Sequence, residues 1–422
     1  MSSEESLRKR VLRNVLWMNG GFAVRALIQV VYFVALARAL GADEYGVFVG
    51  VLALTTLLAP FSTWGSGNIL IKRVARDPAC FRELWGAALA TTLLSGALLI
   101  LAGILVASAV FGWERGLLIA LPVALGDILG VRLGDLAGQV FQAFQRLSRT
   151  ALVWVGMALM RLLGVGLLYL GFDVRSAEVW AWLYGVTGLA SGFLGVLWVG
   201  LAYGWGPLRL SPMRGEWREG FFFSVSLSSQ GAYNDLDKAL LARFSSEAAA
   251  GTYAAAYRVL DAAFIPIRAV LYAFYPRFFQ EGQKGLEATR ILALKLLPVA
   301  FLLALLGGGG MVGLAPFLPR ILGEGFEGVP LVVTWLLPVL LFRAAHYFAA
   351  DALTGAGFQG VRTAVQVGIV LLNLGLNLAL IPVWGWRGAA VASWLSDGAL
   401  ALFLWGALFF LSVGKRALPI RR

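Results

Sequence analysis

The chain has 422 residues, 59% of them hydrophobic and only 14% charged, and a formal net charge of +12. That balance is too apolar for a soluble protein, in which about a quarter of the residues are charged. The positive charge gathers in alternate loops between apolar runs, so it reports membrane topology and not a nucleic-acid footprint.

Twelve mostly apolar runs are predicted to be membrane spans, near residues 12–38, 45–70, 84–110, 116–144, 150–171, 177–203, 218–242, 248–275, 288–314, 328–352, 361–381 and 388–413. Each approaches or exceeds the roughly 20 residues that a helix needs to cross a bilayer. Connections of no more than about 15 residues leave no room for a soluble domain. The first run is too long and too polar for a cleaved signal peptide, and further spans follow it. Cys80 is the single cysteine, so neither a disulfide nor a cysteine metal site is expected.

With the N-terminus placed in the cytoplasm, the inner segments hold Arg8, Lys9, Arg10 and Arg13, then Lys72, Arg73, Arg76 and Arg82, then Arg146 and Arg149. Later inner segments add Arg209, Arg214, Arg218, Arg277, Lys284, Arg290, Arg362, Lys415, Arg416, Arg421 and Arg422. The outer loops keep Arg115, Arg175, Arg243, Arg320 and Arg387 beside Asp43, Glu44, Asp173, Glu178, Glu247, Glu324 and Glu327. This asymmetry predicts a multi-pass protein of the cytoplasmic membrane with both termini inside.

Along the chain, polar residues fall where lipid-facing residues would otherwise stand. Span one carries Asn14, Met18, Gly21, Arg25, Gln29 and Tyr32 at three- and four-residue steps, one stripe with Arg25 near its middle. Span four aligns Arg132, Asp135, Gln139, Gln142 and Arg146, and beside them Gly126, Gly130, Gly134 and Gly138 form a small-xxx-small ridge that predicts close helix packing. Span five adds Arg161. Asp235, Asp237 and Lys238 end span seven as an interfacial ion cluster. Asp237 also shares a stripe with Ser226, Gln230 and Tyr233, which makes it a candidate cation site. Span eight places Arg258, Asp261 and Arg268 on one face around Pro266, where a kink is expected. The run Gly307–Gly310 is expected to weaken span nine. Span ten brings Arg343, His346 and Asp351, and span eleven Gln366, Asn373 and Asn377.

An arginine at a helix centre costs about 2.5–3.5 kcal/mol on insertion scales, so such groups should face a partner or an aqueous cavity. Arg132–Asp135 and Arg258–Asp261 are three apart, and each pair fits either a structural tie or a cavity lining. Arg25 and Arg161 have no acidic neighbour within a turn. Arg343 fits a cavity or an approach to the interface by snorkelling. His346 is the only histidine; its titration range suits proton coupling, while a hydrogen-bonded core role fits equally. Trp17, Trp113, Trp180, Trp217, Trp384 and Trp386 mostly lie near segment ends, as interfacial anchors do.

The second half of the chain echoes the first. Val34–Phe48 and Ala239–Tyr253 match at one offset, with Arg38 on Arg243, Gly46 on Gly251 and Phe48 on Tyr253. Two copies of six spans predict an all-α polytopic protein with an N-terminal lobe at 1–204, a cytoplasmic linker at 205–217 and a C-terminal lobe at 218–422. An even number of spans per copy relates the lobes by a pseudo-two-fold axis along the membrane normal, with a central cavity between them. The copies differ where charge is concerned: Arg25 aligns with Gln230, and Arg258 with Ala53. No phosphate-binding loop, zinc-protease motif or nucleophile elbow is present, so a secondary transporter is expected and not an enzyme.

Three segments carry a resemblance. Asn14-Val-Leu-Trp17 opens span one, Ala37-Arg-Ala-Leu-Gly-Ala-Asp-Glu-Tyr-Gly46 crosses the first turn, and Gly65-Ser-Gly-Asn-Ile-Leu-Ile-Lys-Arg-Val-Ala75 ends span two. In these the chain resembles the multidrug/oligosaccharidyl-lipid/polysaccharide (MOP) flippase superfamily, and within it the Wzx-type polysaccharide flippases. The resemblance implies a V-shaped bundle that moves undecaprenyl-pyrophosphate-linked oligosaccharide from the inner to the outer leaflet by alternating access. It also implies cationic cavity residues on helices one and eight, which by position are Arg25 and Arg258 or Arg268.

Guanidinium forks suit a pyrophosphate. Arg132, Arg161 and Arg343 extend the candidate cation set, while Gln29, Tyr32, Gln366, Asn373 and Asn377 are candidates for sugar hydroxyls. Asp261, Asp237 and His346 are candidates for coupling to a proton or sodium ion alongside the membrane potential. No resident cofactor or metal is expected. The expected partners are the polyprenyl-pyrophosphate-linked glycan, the bilayer and the glycan polymerase machinery. A cation-coupled drug exporter of the MATE branch, a lipid II flippase and a non-transporting scaffold are the alternatives.

Overall fold

The computed structural model describes residues 2–74, 77–171 and 176–414, with side chains described from Gly20 onward except at 115, 214, 226, 230, 276, 413 and 414. Among the described residues the regular structure is entirely helical. Among the described residues, nine helices are long and apolar enough to cross a membrane. One of them, Gly20–Val74, is bent at Gly41 (φ 71°, ψ 176°) and supplies two spans. Two more, Trp217–Phe244 and the broken helix over 247–282, are of spanning length but are not among the nine; within the second, Ile265–Tyr275 is apolar but short. The predicted twelve are therefore present, and the two least apolar are the seventh and eighth.

The helices are α1 (2–40), α2 (42–63, continued by Ser66–Val74), α3 (Phe81–Phe111), α4 (113–143), α5 (Leu147–Gly171) and α6 (Ala177–Tyr203). They continue with α7 (Trp217–Phe244), α8 (Glu247–Ala263 and Ile265–Gly282), α9 (Leu286–Leu314), α10 (Val329–Trp335 and Leu337–Gly355), α11 (Gln359–Trp384) and α12 (Trp386–Gly414). Several ends follow from local chemistry. Ser176 and Ser246 cap α6 and α8 by accepting from the backbone N–H of Val179 and Ala249. Gly41 and Ser246 occupy equivalent positions of the two sequence copies, so one repeat turns through a glycine and the other through a serine cap. Pro266 and Pro338 lack an N–H and sit in first turns, which is why α8 breaks at Phe264 and α10 at Leu336. The expected kink in span eight is thus a full break. The four glycines from Gly307 do not interrupt α9.

The chain divides into two compact units, Met1–Ala239 and Leu240–Arg422. Most of α7 therefore packs with the first unit. Ser224 and Ser228 Oγ donate to the carbonyls of Pro60 and Leu57 on α2, at 3.0 and 2.6 Å, and Lys72 Nζ meets Glu219 at 2.7 Å. The first unit buries Phe81, Trp85, Phe141 and Val199 between α3, α4 and α6. Trp180, expected at an interface, is fully buried against Tyr32, Phe48 and Tyr184.

The predicted glycine ridge of α4 meets a second ridge on α6. A Cβ on Gly130 would lie 2.3 Å from the Gly188 carbonyl carbon, and one on Gly192 would lie 2.3 Å from the Gly130 oxygen. Lipid gives helices no hydrophobic reason to associate, so backbone contact of this kind supplies the dispersion energy instead. Gly134 and Gly138 face Met157 and Trp154 of α5. Gly130→Ala would push a methyl group into backbone that cannot move aside. It is expected to cost about 1–3 kcal/mol, seen as a lower melting temperature in detergent; an unchanged transition would mean that α4 and α6 do not approach this closely.

Candidate functional site

In the first unit α4 is widened into π-helical turns over Gly116–Ala120 and Leu125–Val131, and Asp127 sits in the second of them. Such turns are frequent at functional positions because they redirect a side chain without ending the helix. Asp127 is 6% exposed and lies in the fields of both Arg132 and Arg161. Arg161 reaches from α5 to α6, where Nη1 donates to the Tyr184 carbonyl and the guanidinium carbon stands 3.2 Å from the centre of the Tyr184 ring. A Cβ on Gly188 would come within 3.0 Å of Arg161 Nη2, so the ridge also makes room for the arginine.

Arg132 Nη1 donates to Asp135 Oδ2 at 3.2 Å, and both side chains are half-buried. Asp135 lies in the field of Arg25 as well, whose guanidinium stands 6.0 Å from the Trp154 ring. Three buried polar atoms in this cluster, Arg132 Nε, Arg161 Nη2 and Asp127 Oδ2, have no hydrogen-bond partner among the described residues. The structure thus brings together Arg25, Arg132 and Arg161 from three helices. It adds Asp127, whose only sequence signal was a carboxylate in a glycine-rich apolar run.

Gln29 is exposed and Tyr32 half-buried, its ring 5.9 Å from Trp180. Asp237 is buried and pairs with Lys238 at 3.3 Å, while Lys238 Nζ also meets Asp235 at 3.1 Å. The remaining members of two predicted stripes, Asn14 and Met18 on α1 and Ser226 and Gln230 on α7, have side chains outside the described residues.

The second unit holds a separate network. Arg343 Nη1 donates to Asp261 Oδ1 at 3.1 Å, joining α10 to α8. His346 Nε2 and Asp397 Oδ1 are 3.1 Å apart, joining α10 to α12, and both residues are buried. Tyr257 donates to Ser393 at 2.8 Å, and Asn373 Nδ2 to Ser396 at 3.1 Å. Asn377 Nδ2 donates to Asn373, so this pair is bonded inside the unit. Gln366 is half-buried, and Arg258 and Arg268 are exposed, with the Arg268 guanidinium 5.6 Å from the Phe264 ring. Asp351 meets Arg362 at 3.6 Å. Asp397 was not singled out from the sequence, although Ser393, Ser396 and Asp397 fall within about one turn of one another.

The family profile described as polysaccharide biosynthesis protein matches residues 11–281, well over half of the chain. The chain belongs to this family. A relative in Haloferax volcanii, described as the probable low-salt glycan biosynthesis flippase Agl15, is 24% identical over 385 residues, covering 85% of this chain and 75% of its own. Among solved structures, the inward-facing conformation of a multidrug resistance MATE transporter of the MOP superfamily is similar at a TM-score of 0.72, with 15% identity and 96% of each chain covered. The outward-facing conformation of a MATE transporter is similar at 0.62, with 15% identity over 95% of this chain and 96% of that one. The fold of this polysaccharide biosynthesis protein is that of the MOP transporters, and it is a multi-pass membrane protein.

Removing the Arg161 fork tests how much the first cluster depends on it. Arg161→Ala gives up the bond to the Tyr184 carbonyl and the contact with its ring, and is expected to destabilise the protein by about 1–3 kcal/mol. Thermal unfolding in detergent would reveal this, and a transition identical to wild type would show that the arginine is not held there.

Proposed function

We propose that the chain is a flippase that moves a polyprenyl-pyrophosphate-linked oligosaccharide, in the resemblance an undecaprenyl one, from the inner to the outer leaflet of the cytoplasmic membrane by alternating access. The observation that carries this reading is the set of unpaired guanidinium nitrogens buried in the first unit, Arg132 Nε and Arg161 Nη2. A buried donor without an acceptor costs about 1–3 kcal/mol, so a phosphate oxygen that reaches it is bound strongly. Arg25, Arg132 and Arg161 bring three guanidinium groups together around Asp127 and Asp135. Forked donors of this kind suit an anionic head group better than the cationic cargo of a drug exporter. Membership of the polysaccharide biosynthesis family and the flippase name of the Haloferax relative support the same cargo class.

Glycan hydroxyls would meet the Gln29 amide and the Tyr32 phenol of α1, and the polyprenyl tail would stay in lipid. An inside-negative potential favours outward movement of an anion by about 2.3 kcal/mol per charge per 100 mV. A proton or sodium ion then resets the empty carrier, and the product passes to the glycan polymerase machinery outside.

Loss of one charge-assisted bond, about 1.5–3 kcal/mol, should slow flipping about tenfold to a hundredfold in Arg25→Ala proteoliposomes. Arg25→Lys should retain part of the rate, and collapsing the membrane potential should slow the wild type. Wild-type rates in Arg25→Ala would sink the phosphate clamp. Mass spectrometry of lipids from a deletion strain should find lipid-linked oligosaccharide accumulating on the inner leaflet; no accumulation would point to a scaffold.

A further inference from the structure

The second unit contains an ionisable pair that phosphate binding does not use. His346, the only histidine, is 5% exposed and Asp397 is 1% exposed, with Nε2 and Oδ1 3.1 Å apart. An ionised carboxylate can only accept, so Nε2 carries the hydrogen of this bond and Nδ1 is left to take up a second proton. Arg343, one turn earlier on α10 and 7% exposed, bonds Asp261 at 3.1 Å and also lies in the field of Asp397.

Arg343 bonds Asp261 and also lies in the field of Asp397, whose own bond is with His346. A proton on Nδ1 places a positive charge beside Asp397, which changes how Arg343 is shared between the two carboxylates. The Asp261 side chain is 43% exposed, so this change is felt at an open face of the unit. Interior charge is tolerated only when balanced, which ties the proton on one pair to the pairing of the other.

We propose that the buried His346–Asp397 pair is a proton-binding site, and that loading it changes how firmly Arg343 holds Asp261 and so the hold of that face on an anionic head group. The other groups facing the pair leave this balance in place. From α8 come Tyr257 and Asp261, with Arg268 acting on the adjacent Tyr347. Arg362 of α11 is engaged by Asp351 at 3.6 Å and Thr354 at 2.8 Å. On α9, Arg290 is tied to Ser412 and Glu287, and Lys295 is exposed. Arg387 of α12 lies against the rings of Trp335 and Trp386. The break at Phe264, one turn after Asp261, allows the two parts of α8 to reorient independently when the Arg343 bond changes.

The link to an anionic head group rests on the proposed flippase activity; the proton site does not. A single histidine makes the test direct. Isotope-labelled histidine in the full-length protein, held in lipid nanodiscs, should give one imidazole signal that titrates between about pH 5 and about pH 8. In Asp397→Asn the midpoint should move by about one pH unit or more, a tenfold change in proton affinity. An imidazole fixed in one protonation state over that range, or a midpoint indifferent to Asp397→Asn, overturns the site.

In proteoliposomes the wild-type flipping rate should depend on pH through the same midpoint, and the pH dependence of flipping should be lost in His346→Gln. Retention of the wild-type pH profile by His346→Gln overturns the coupling. If the wild type flips no lipid-linked glycan, the proposed function and the coupling fall together, and the imidazole titration decides the proton site alone.

Discussion

A charge held within hydrocarbon needs a partner of opposite sign or a polar ligand, and the layout of this chain follows from that constraint. The intramembrane charges gather into one cluster within each unit. Arg25, Asp127, Arg132, Asp135 and Arg161 occupy the first, and Asp261, Arg343, His346 and Asp397 the second. In both, the backbone beside the charges departs from regular α-helix. Asp127 lies in a π-helical turn, α8 breaks just after Asp261, and α10 breaks about two turns before Arg343 and about three before His346. Such departures are tolerated inside a membrane where protein, and not lipid, surrounds the freed backbone groups.

Close packing without side chains makes the first cluster achievable. The glycines of α4 and α6 bring two backbones into contact, and the space above Gly188 is where the Arg161 guanidinium lies. Glycine therefore serves both the scaffold and the charge it surrounds, since any Cβ there would compete with the arginine. The second cluster is framed by hydroxyl and amide side chains instead. Ser393, Ser396, Asn373 and Tyr257 link α8, α11 and α12 around His346 and Asp397. In the first cluster Arg132 and Arg161 retain buried donors without a partner, whereas in the second Arg343 bonds Asp261 and His346 bonds Asp397. This difference underlies the division of labour between anion binding and proton binding proposed above.

Much of the fold is legible in the residues. A span must be apolar over its whole length, so most helix ends lie within a few residues of the hydropathy limits, and Pro266 marks its break by lacking an N–H. Span two was harder to read, because the turn at Trp64–Gly65 divides a run that stays apolar on both sides. The charged clusters were half legible. Three- and four-residue spacing revealed the Arg25 and Arg132–Asp135 stripes. It missed Asp127, five residues before Arg132, because the π-helical turn changes which residues share a face. Spacing also gave no sign that Arg343, 82 residues away, bonds Asp261.

The sequence by itself determined the membrane class, the twelve spans and the types of residue carried into the bilayer, because each of these is written in local composition and period. Only the tertiary structure decided which charges are neighbours. Arg161 lies beside Asp127 across α5 and α4, and His346 beside Asp397 across α10 and α12, so both are neighbours on different helices. Spacing along one helix predicts contacts only with its own turns, and the pairing of different helices depends on how closely glycine and hydroxyl side chains let them approach.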